Sequence, residues 1–522
     1  MNLNSRQKKN ILYALGINYV IYILLRLFFF TTYESQIDIM MQAAVRGVSG
    51  TKTAGIIYSN IILGWIIKVF TVLIPFMNGY YVYLVFGVLT GLSVISYILL
   101  LRTDRKLGMT LSVVLASFIG YECYILPGYM KTASVIGIAM LVVLADTFER
   151  GILKSRKRIA VTIGLGILCS MICLSVFLIT MFLGAAGIII YDASQHEWKF
   201  FSWFRKDGKI AKEQLKSMAV VVAAIIIGGT FLYGIDIISY HISGQDDAVT
   251  YRSAMVRMYG YGMGSYDESY AEKYGIDSAE YDSIKKGSFG VTGESTWRIL
   301  KNLSKEHEKF SLKTVSSYFK SVPLKWFGYG IFYLFLIMLF LLSYAPCNKK
   351  RVMVWTQILL LFSSFLVLYI CHAWQNNGIV FVVILPLILP LLLVQKDAPE
   401  REYRYLWAYL VVMSVILYGK FSSNMVSGVS TENMSDRFAS LGGGQTNMLD
   451  LNAYLKSFSA QKNYTRGILT AEHVVISNGA YALMDGFENY IMSSVPSENQ
   501  KYEWVYNTKA VSYTHLTLPT NS

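Results

Sequence analysis

The sequence predicts an all-α polytopic membrane protein with about eleven transmembrane helices. Three observations predict it. Apolar runs of roughly 15–22 residues recur from end to end, matching the thickness of a bilayer core. Of the 522 residues, 54% are hydrophobic and only 15% charged, with a mean hydropathy of +0.43. Lys and Arg gather in short connections between the runs, as orientation signals do. A β-barrel is excluded, because its strands show short alternating patterns. The net charge of +14 does not point to nucleic acid, because the basic residues are dispersed among membrane connections.

The first run, about 10–30, follows Arg6, Lys8 and Lys9, which place the N-terminus in the cytoplasm. It lacks a small-residue cleavage site and reads as a signal anchor. The next apolar stretch, 56–75, decides all later sidedness. If it spans, nearly every basic cluster falls outside. If it lies flat, 80–101 enters and Arg102, Arg105 and Lys106 are cytoplasmic. Residues 109–127 and 131–146 then return the chain to Arg150–Arg158. A pair at 159–176 and 177–190 leads to the Lys199–Lys216 stretch, and 217–237 exits to a long loop. Residues 326–344 re-enter before Lys349–Arg351, 352–371 and 378–395 form a hairpin, and 406–420 exits. The flat reading puts every basic cluster inside and the C-terminus outside. Asn60, Gly64, Lys68 and Thr71 share one side of the 56–75 helix, which fits a weakly amphipathic surface helix. Before it, Ile37, Met40, Met41, Ala44 and Val45 recur at helical spacing, with Glu34, Asp38 and Gln42 opposite. The first external loop, 31–78, is therefore expected to hold two interfacial helices.

Residues 1–420 form the transmembrane domain, with a large external loop at 238–325. That loop carries seven tyrosines from Tyr251 to Tyr281, among Arg252, Arg257, Asp267, Glu268 and Asp282. Aromatics beside acids and arginines suit sugar and phosphate contacts; a small packed domain with tyrosines at the interface is the simpler expectation for most of them. Residues 421–510 read as a small truncated α/β extracytoplasmic piece: a flexible stretch, a helical pattern in LDLNAYLKSF and a strand in HVVISN. Val511–Thr520 corresponds, codon for codon, to a transposon adapter used in sequencing libraries. Residues 511–522 are therefore expected to be an artefact, with natural sequence giving way near Lys509 or Ala510.

Standard soluble motifs are lacking: no Walker A sequence, no His-x-x-x-His, no nucleophile elbow. Cys123, Cys169, Cys173, Cys347 and Cys371 are scattered, and the helical spacing of Cys169 and Cys173 fits packing better than metal binding. Few charges fall within the runs. Arg26 can snorkel to the interface, Glu122 and Asp236 lie in the outer thirds, and Lys131 sits near the outer surface. Carriers more often place ionisable groups at the midplane.

A signal anchor, an acid-bearing surface helix and a second surface helix ending at Pro75 resemble the GT-C superfamily of membrane glycosyltransferases. Met40-Met41, the stretch Tyr58-Ser59-Asn60-Ile61-Ile62-Leu63-Gly64, Pro75 and YGIDSAEYDSIKKGSFG (274–290) are similar to a family of Gram-positive bacterial multi-pass membrane proteins. The resemblance implies a bacterial cytoplasmic membrane location, a polyprenyl-phosphate-linked sugar donor and a surface glycan acceptor. It also implies a paired-acid motif, which here reads Glu34-Ser35-Gln36-Ile37-Asp38, with the acids one turn apart. Asp38 and Glu34 are the catalytic candidates. A carboxylate there would act as general base or hold a divalent cation against the phosphate. Lys52, Arg252 and Arg257 are candidates to offset the phosphate charge. The alternatives are a polysaccharide polymerase or ligase, and a non-enzymatic membrane component of a glycan export system.

Overall fold

A computed structural model describes residues 5–29, 31, 33, 36–46, 53–74, 79–149, 155–195, 209–243, 249, 266–278, 281, 302–303, 329–342, 349–370 and 377–395, and three short strands. Glu34, Lys52, Arg252, Arg257, the 406–420 run and residues 511–522 lie outside the described residues. The helices are α1 (Ser5–Phe28), α2 (Gln36–Arg46), α3 (Ile61–Leu73), α4 (Gly79–Arg102), α5 (Arg105–Gly120), α6 (Tyr129–Glu149), α7 (Arg156–Ile172), α8 (Leu174–Gln195), α9 (Lys209–Ile242), α10 (Ser269–Tyr274), α11 (Gly330–Leu341), α12 (Lys350–Ile370) and α13 (Asn377–Leu393). A π turn, Tyr121–Ile125, extends α5. The strands β1 (Thr446–Leu449), β2 (Val474–Ile476) and β3 (Tyr502–Tyr506) form a parallel sheet in the order β2-β1-β3. β2 lies within the HVVISN stretch; the LDLNAYLKSF pattern falls outside the described residues apart from Leu449.

Seven helical segments among the described residues are long and apolar enough to cross a membrane: α1, α4, α5 with its π turn, α6, α8, and most of α9 and α12. Helices α3, α11 and α13 are apolar but shorter. The turn expected at 176–177 falls earlier, where Cys173 leaves helical geometry at φ −159° and ψ 107° between α7 and α8.

Helix α6 is the centre of the bundle, buried along nearly its whole length. It packs against α4 through small residues: a Cβ at Gly91 would come within 2.8 Å of the Val135 side chain. Close backbone approach of this kind holds helices together where the surrounding solvent is itself apolar. Helix α13 is buried from residue 378 to residue 393 despite Pro386 and Pro390 in its interior. By contrast α1, α9 and α12 turn apolar side chains outward, among them Leu12, Leu27, Phe231, Ile242, Trp355 and Leu359. Those faces suit hydrocarbon.

The bundle has two polar ends. At the lower end, Arg102 closes α4 with its guanidinium on Asp146 (3.3 Å) and Glu149 (2.6 Å) of α6. It also donates to the Tyr191 hydroxyl (3.2 Å) and the Leu393 carbonyl (3.4 Å). Arg158 of α7 takes the other oxygen of Asp146 at 2.5 Å. Two arginines and two acids thus tie α4, α6, α7, α8 and α13 together. The start of α1 is at the same end, where Asn10 donates to the Leu100 carbonyl. The upper end is formed by the start of α4, the π turn, the start of α6, the α7–α8 junction and the start of α11.

Candidate functional site

Asp38 lies at the upper end, and not on a wet surface. It is 1% exposed, and so is Gln42 one turn later. The stripe of Met41, Ala44 and Val45 on the other side of α2 is also buried in the protein core. The expected interfacial helix with an aqueous acidic face is therefore corrected: both sides of α2 are packed within the protein. Two-sided patterning reads the same whether the polar face meets water or buried hydrogen-bond donors, and here it meets donors. The Tyr80 hydroxyl donates to Asp38 Oδ1 at 2.8 Å, and the Tyr129 backbone N–H donates to the same oxygen at 3.0 Å. Tyr33 donates to Gln42, and its ring lies 6.1 Å from that of Tyr80.

The Tyr129 amide is the first of α6, so Asp38 places negative charge at the positive end of a helix. Two other buried acids do the same. Glu122 Oε1 accepts from the Gly330 amide at the start of α11 (2.6 Å), while Oε2 meets Lys131 Nζ at 3.0 Å. Lys131 also donates to the Glu122 and Leu126 carbonyls (3.1 and 3.4 Å), so its three protons are met. Asp236 of α9 accepts from the Ile61 amide at the start of α3 at 2.7 Å. Three carboxylates each bridge to the N-terminus of another helix, all at the upper end.

Helix α3 lies across that end. Its N-terminal side is anchored at the α7–α8 junction, where Asn60 N–H donates to the Met171 carbonyl and Ser59 Oγ to the Ile172 carbonyl, both at 2.8 Å. Asn60 Nδ2 donates to the Leu232 carbonyl of α9 (2.8 Å), and its Oδ1 accepts from Ile62 N as the helix cap. At the other end of the helix, Thr71 meets Gly79 at the start of α4. Both ends sit at one level of the bundle, and thirteen residues reach only about 20 Å. Helix α3 therefore runs across this end of the bundle. Its sides are the reverse of the surface-helix expectation. Asn60, Gly64 and Thr71 are turned into the protein, while Trp65, Ile66, Val69, Val72 and Leu73 are more than half exposed. Lys68 sits over the Trp65 ring at 4.8 Å. An exposed apolar face on a membrane bundle is suited to lipid.

The Tyr58–Gly64 stretch thus has a structural explanation residue by residue. Ser59 and Asn60 dock and cap, Leu63 is buried, and a Cβ at Gly64 would run into the Ala54 carbonyl. Tyr58 packs its ring 6.3 Å from that of Tyr129, and Ser59 reaches Met41 Sδ at 4.0 Å. Tyr58 and Ser59 therefore pack on Tyr129, whose amide holds Asp38, and on Met41, in the same helix as Asp38.

In the long loop, Tyr266, Tyr270, Tyr274 and Tyr281 pack on one another with ring centroids 5.6–6.0 Å apart. The Tyr266 hydroxyl donates to the Ile276 carbonyl. These four form a small core. Beside it, hydrogen bonds from Ser269 hold the exposed Asp267 carboxyl below its usual range. Arg26 bonds Thr31 and stacks over Tyr81 at 5.6 Å. Among the described residues no three His, Cys, Asp or Glu side chains gather as a metal site.

Of the sequence-predicted site residues, then, the structure places Asp38. Its partners Tyr80 and the Tyr129 amide, and Tyr33 on the neighbouring Gln42, are residues that sequence reasoning missed. Tyrosines at the start of a span look like an aromatic belt, and a backbone amide leaves no trace in sequence. The chain matches no protein-family model, no curated protein and no solved structure.

Proposed function

We propose that the protein is a membrane glycosyltransferase of the GT-C kind, moving a sugar from a polyprenyl-phosphate-linked donor to a surface glycan at the upper end of the bundle. The observation that supports this best is the setting of Asp38. It comes from the first loop, it lies at the end opposite the Arg102 cluster, and two donors fix one of its oxygens. A carboxylate held this way is pre-oriented for one task, general base toward an acceptor hydroxyl or ligand to a divalent cation. In this reading the lower end, with Arg102, Arg105 and Arg158, faces the cytoplasm of a bacterium. The N-terminus is inside, the chain spans eleven times and the C-terminal region is outside. Glu34, Lys52, Arg252 and Arg257 remain candidates for supporting the base and the leaving phosphate.

The test is transfer from radiolabelled polyprenyl-phosphate sugars by the purified chain. Asp38→Asn keeps an oxygen that can accept from both Tyr80 and Tyr129. It should preserve the fold while lowering the rate on the order of a hundred-fold or more. Transfer at the wild-type rate would remove Asp38 from the chemistry. A specific observation favours the second reading, a polymerase, ligase or non-enzymatic export component: Glu122 and Asp236 bridge helix ends just as Asp38 does. Under it, Asp38→Asn changes neither rate nor surface glycan.

A further inference from the structure

We propose that residues 53–74, the segment ending in α3, are a lid over Asp38 that opens toward the bilayer. The inference rests on the glycosyltransferase reading only for what enters; the movement itself rests on the packing. Asp38, Met41 and Tyr80 are all at most 1% exposed, so no substrate reaches this carboxylate in this arrangement, in which Ser59 packs on Met41 and Tyr58 on Tyr129. Three features mark this cover as the part that moves.

Its polar hold on the bundle is concentrated at one point, beside the buried Ile56, Ile57, Leu63 and Ile67. Ser59, Asn60 and Ile61 make hydrogen bonds to Met171, Ile172, Leu232 and Asp236. Clustered on three consecutive residues, these bonds can break and reform as a unit. Its outer face is already apolar, through Trp65, Ile66, Val69, Val72 and Leu73, so outward movement into hydrocarbon exposes no new polar side chain on that face. The polar groups freed on the inner side, Ser59 Oγ and Asn60, are those a phosphate or sugar hydroxyl could satisfy. An entrant passing under α3 from this side is one that carries a hydrocarbon chain in the bilayer and a polar head at its surface.

The test reads opening without any substrate. Met41→Cys puts a thiol beneath Ser59, and in full-length protein in membranes its alkylation by N-ethylmaleimide is followed on the peptide containing residue 41. Asp236→Ala removes the acceptor of the Ile61 amide and should speed this labelling ten-fold or more. Asp236→Asn keeps an acceptor and should label near the parent rate. Ala139→Cys, buried in the middle of α6, should stay unlabelled in every background. A sulfonated, charged maleimide should remain slow where N-ethylmaleimide is fast. The lid is wrong if Asp236→Ala leaves the residue 41 rate unchanged, or if residue 139 becomes reactive with it. Equal reaction with the charged reagent overturns the opening toward lipid. Labelling that behaves as expected while Asp38→Asn retains full transfer overturns the glycosyltransferase reading alone.

Discussion

At the scale of single residues, the acids most suggestive of chemistry are also the ones that join helix ends. Asp38, Glu122 and Asp236 each accept a backbone N–H from the first turn of a helix other than their own. In a bundle this apolar, an uncapped helix start buried at the end of the structure would leave amides without water. A carboxylate satisfies such an amide and gains from the helix dipole. The sequence shows the acids but not their amides, because the partners lie 91, 208 and 175 positions away. Gly64 shows the same limit. Its place in the Tyr58–Gly64 stretch is legible, while its reason is the Ala54 carbonyl folded against it. Gly64→Ala forces that backbone apart, and overpacking of this kind typically costs about 1–3 kcal/mol. The thermal midpoint of the purified protein should fall. Gly164→Ala, where a Cβ meets nothing within 4 Å, serves as the control and should leave it within a degree or so.

At the scale of elements, hydropathy alone located the helices long and apolar enough to cross a membrane, since α1, α4, α5, α6, α8, α9 and α12 all fall on apolar runs. What it could not read was which side of a short helix faces the protein. For α2 and α3 the polar stripe looks like a wet face; in α3 it is the face packed inward, and in α2 both faces are buried. The π turn after α5 was equally hidden. It brings Glu122 and Lys131 together in a buried pair with the start of α11. Removing one partner of such a pair strands the other charge, typically at about 3–5 kcal/mol, whereas replacing both is often neutral. Lys131→Met should therefore destabilise the protein strongly. The double variant Lys131→Met with Glu122→Gln, which keeps an acceptor for the Gly330 amide, should recover most of that loss in chemical unfolding. A double variant no better than Lys131→Met would mean that the ammonium contributes mainly through its carbonyl contacts to Glu122 and Leu126.

At the scale of the whole molecule, the two ends differ in how their charge is arranged. The lower end concentrates arginine: Arg102 and Arg158 around Asp146 and Glu149, with Arg105 bonded to Tyr13 nearby. The upper end places its acids singly at helix starts. Basic residues that gather on one end of a membrane bundle mark its cytoplasmic side, so the packing and the positive-inside rule can be tested together. Single cysteines at Lys106 and Arg351, near the starts of α5 and α12, should be protected from an impermeant thiol reagent in intact cells and react once the cells are opened. One at Glu272, on the exposed side of α10, should react in intact cells. The pattern turns on α3. Because this helix returns to the level where it began, α1 and α4 run in opposite directions and the lower end stays on one side. Were the whole bundle inverted, with the start of α1 beside Arg102 at an outer end, residue 106 would react from outside and residue 272 would not. That reversed pattern would place the Arg102 cluster outside the cell, together with the end of α13 that it holds through the Leu393 carbonyl. Asp38 would then face the cytoplasm, which would overturn the proposed transfer on the outer face.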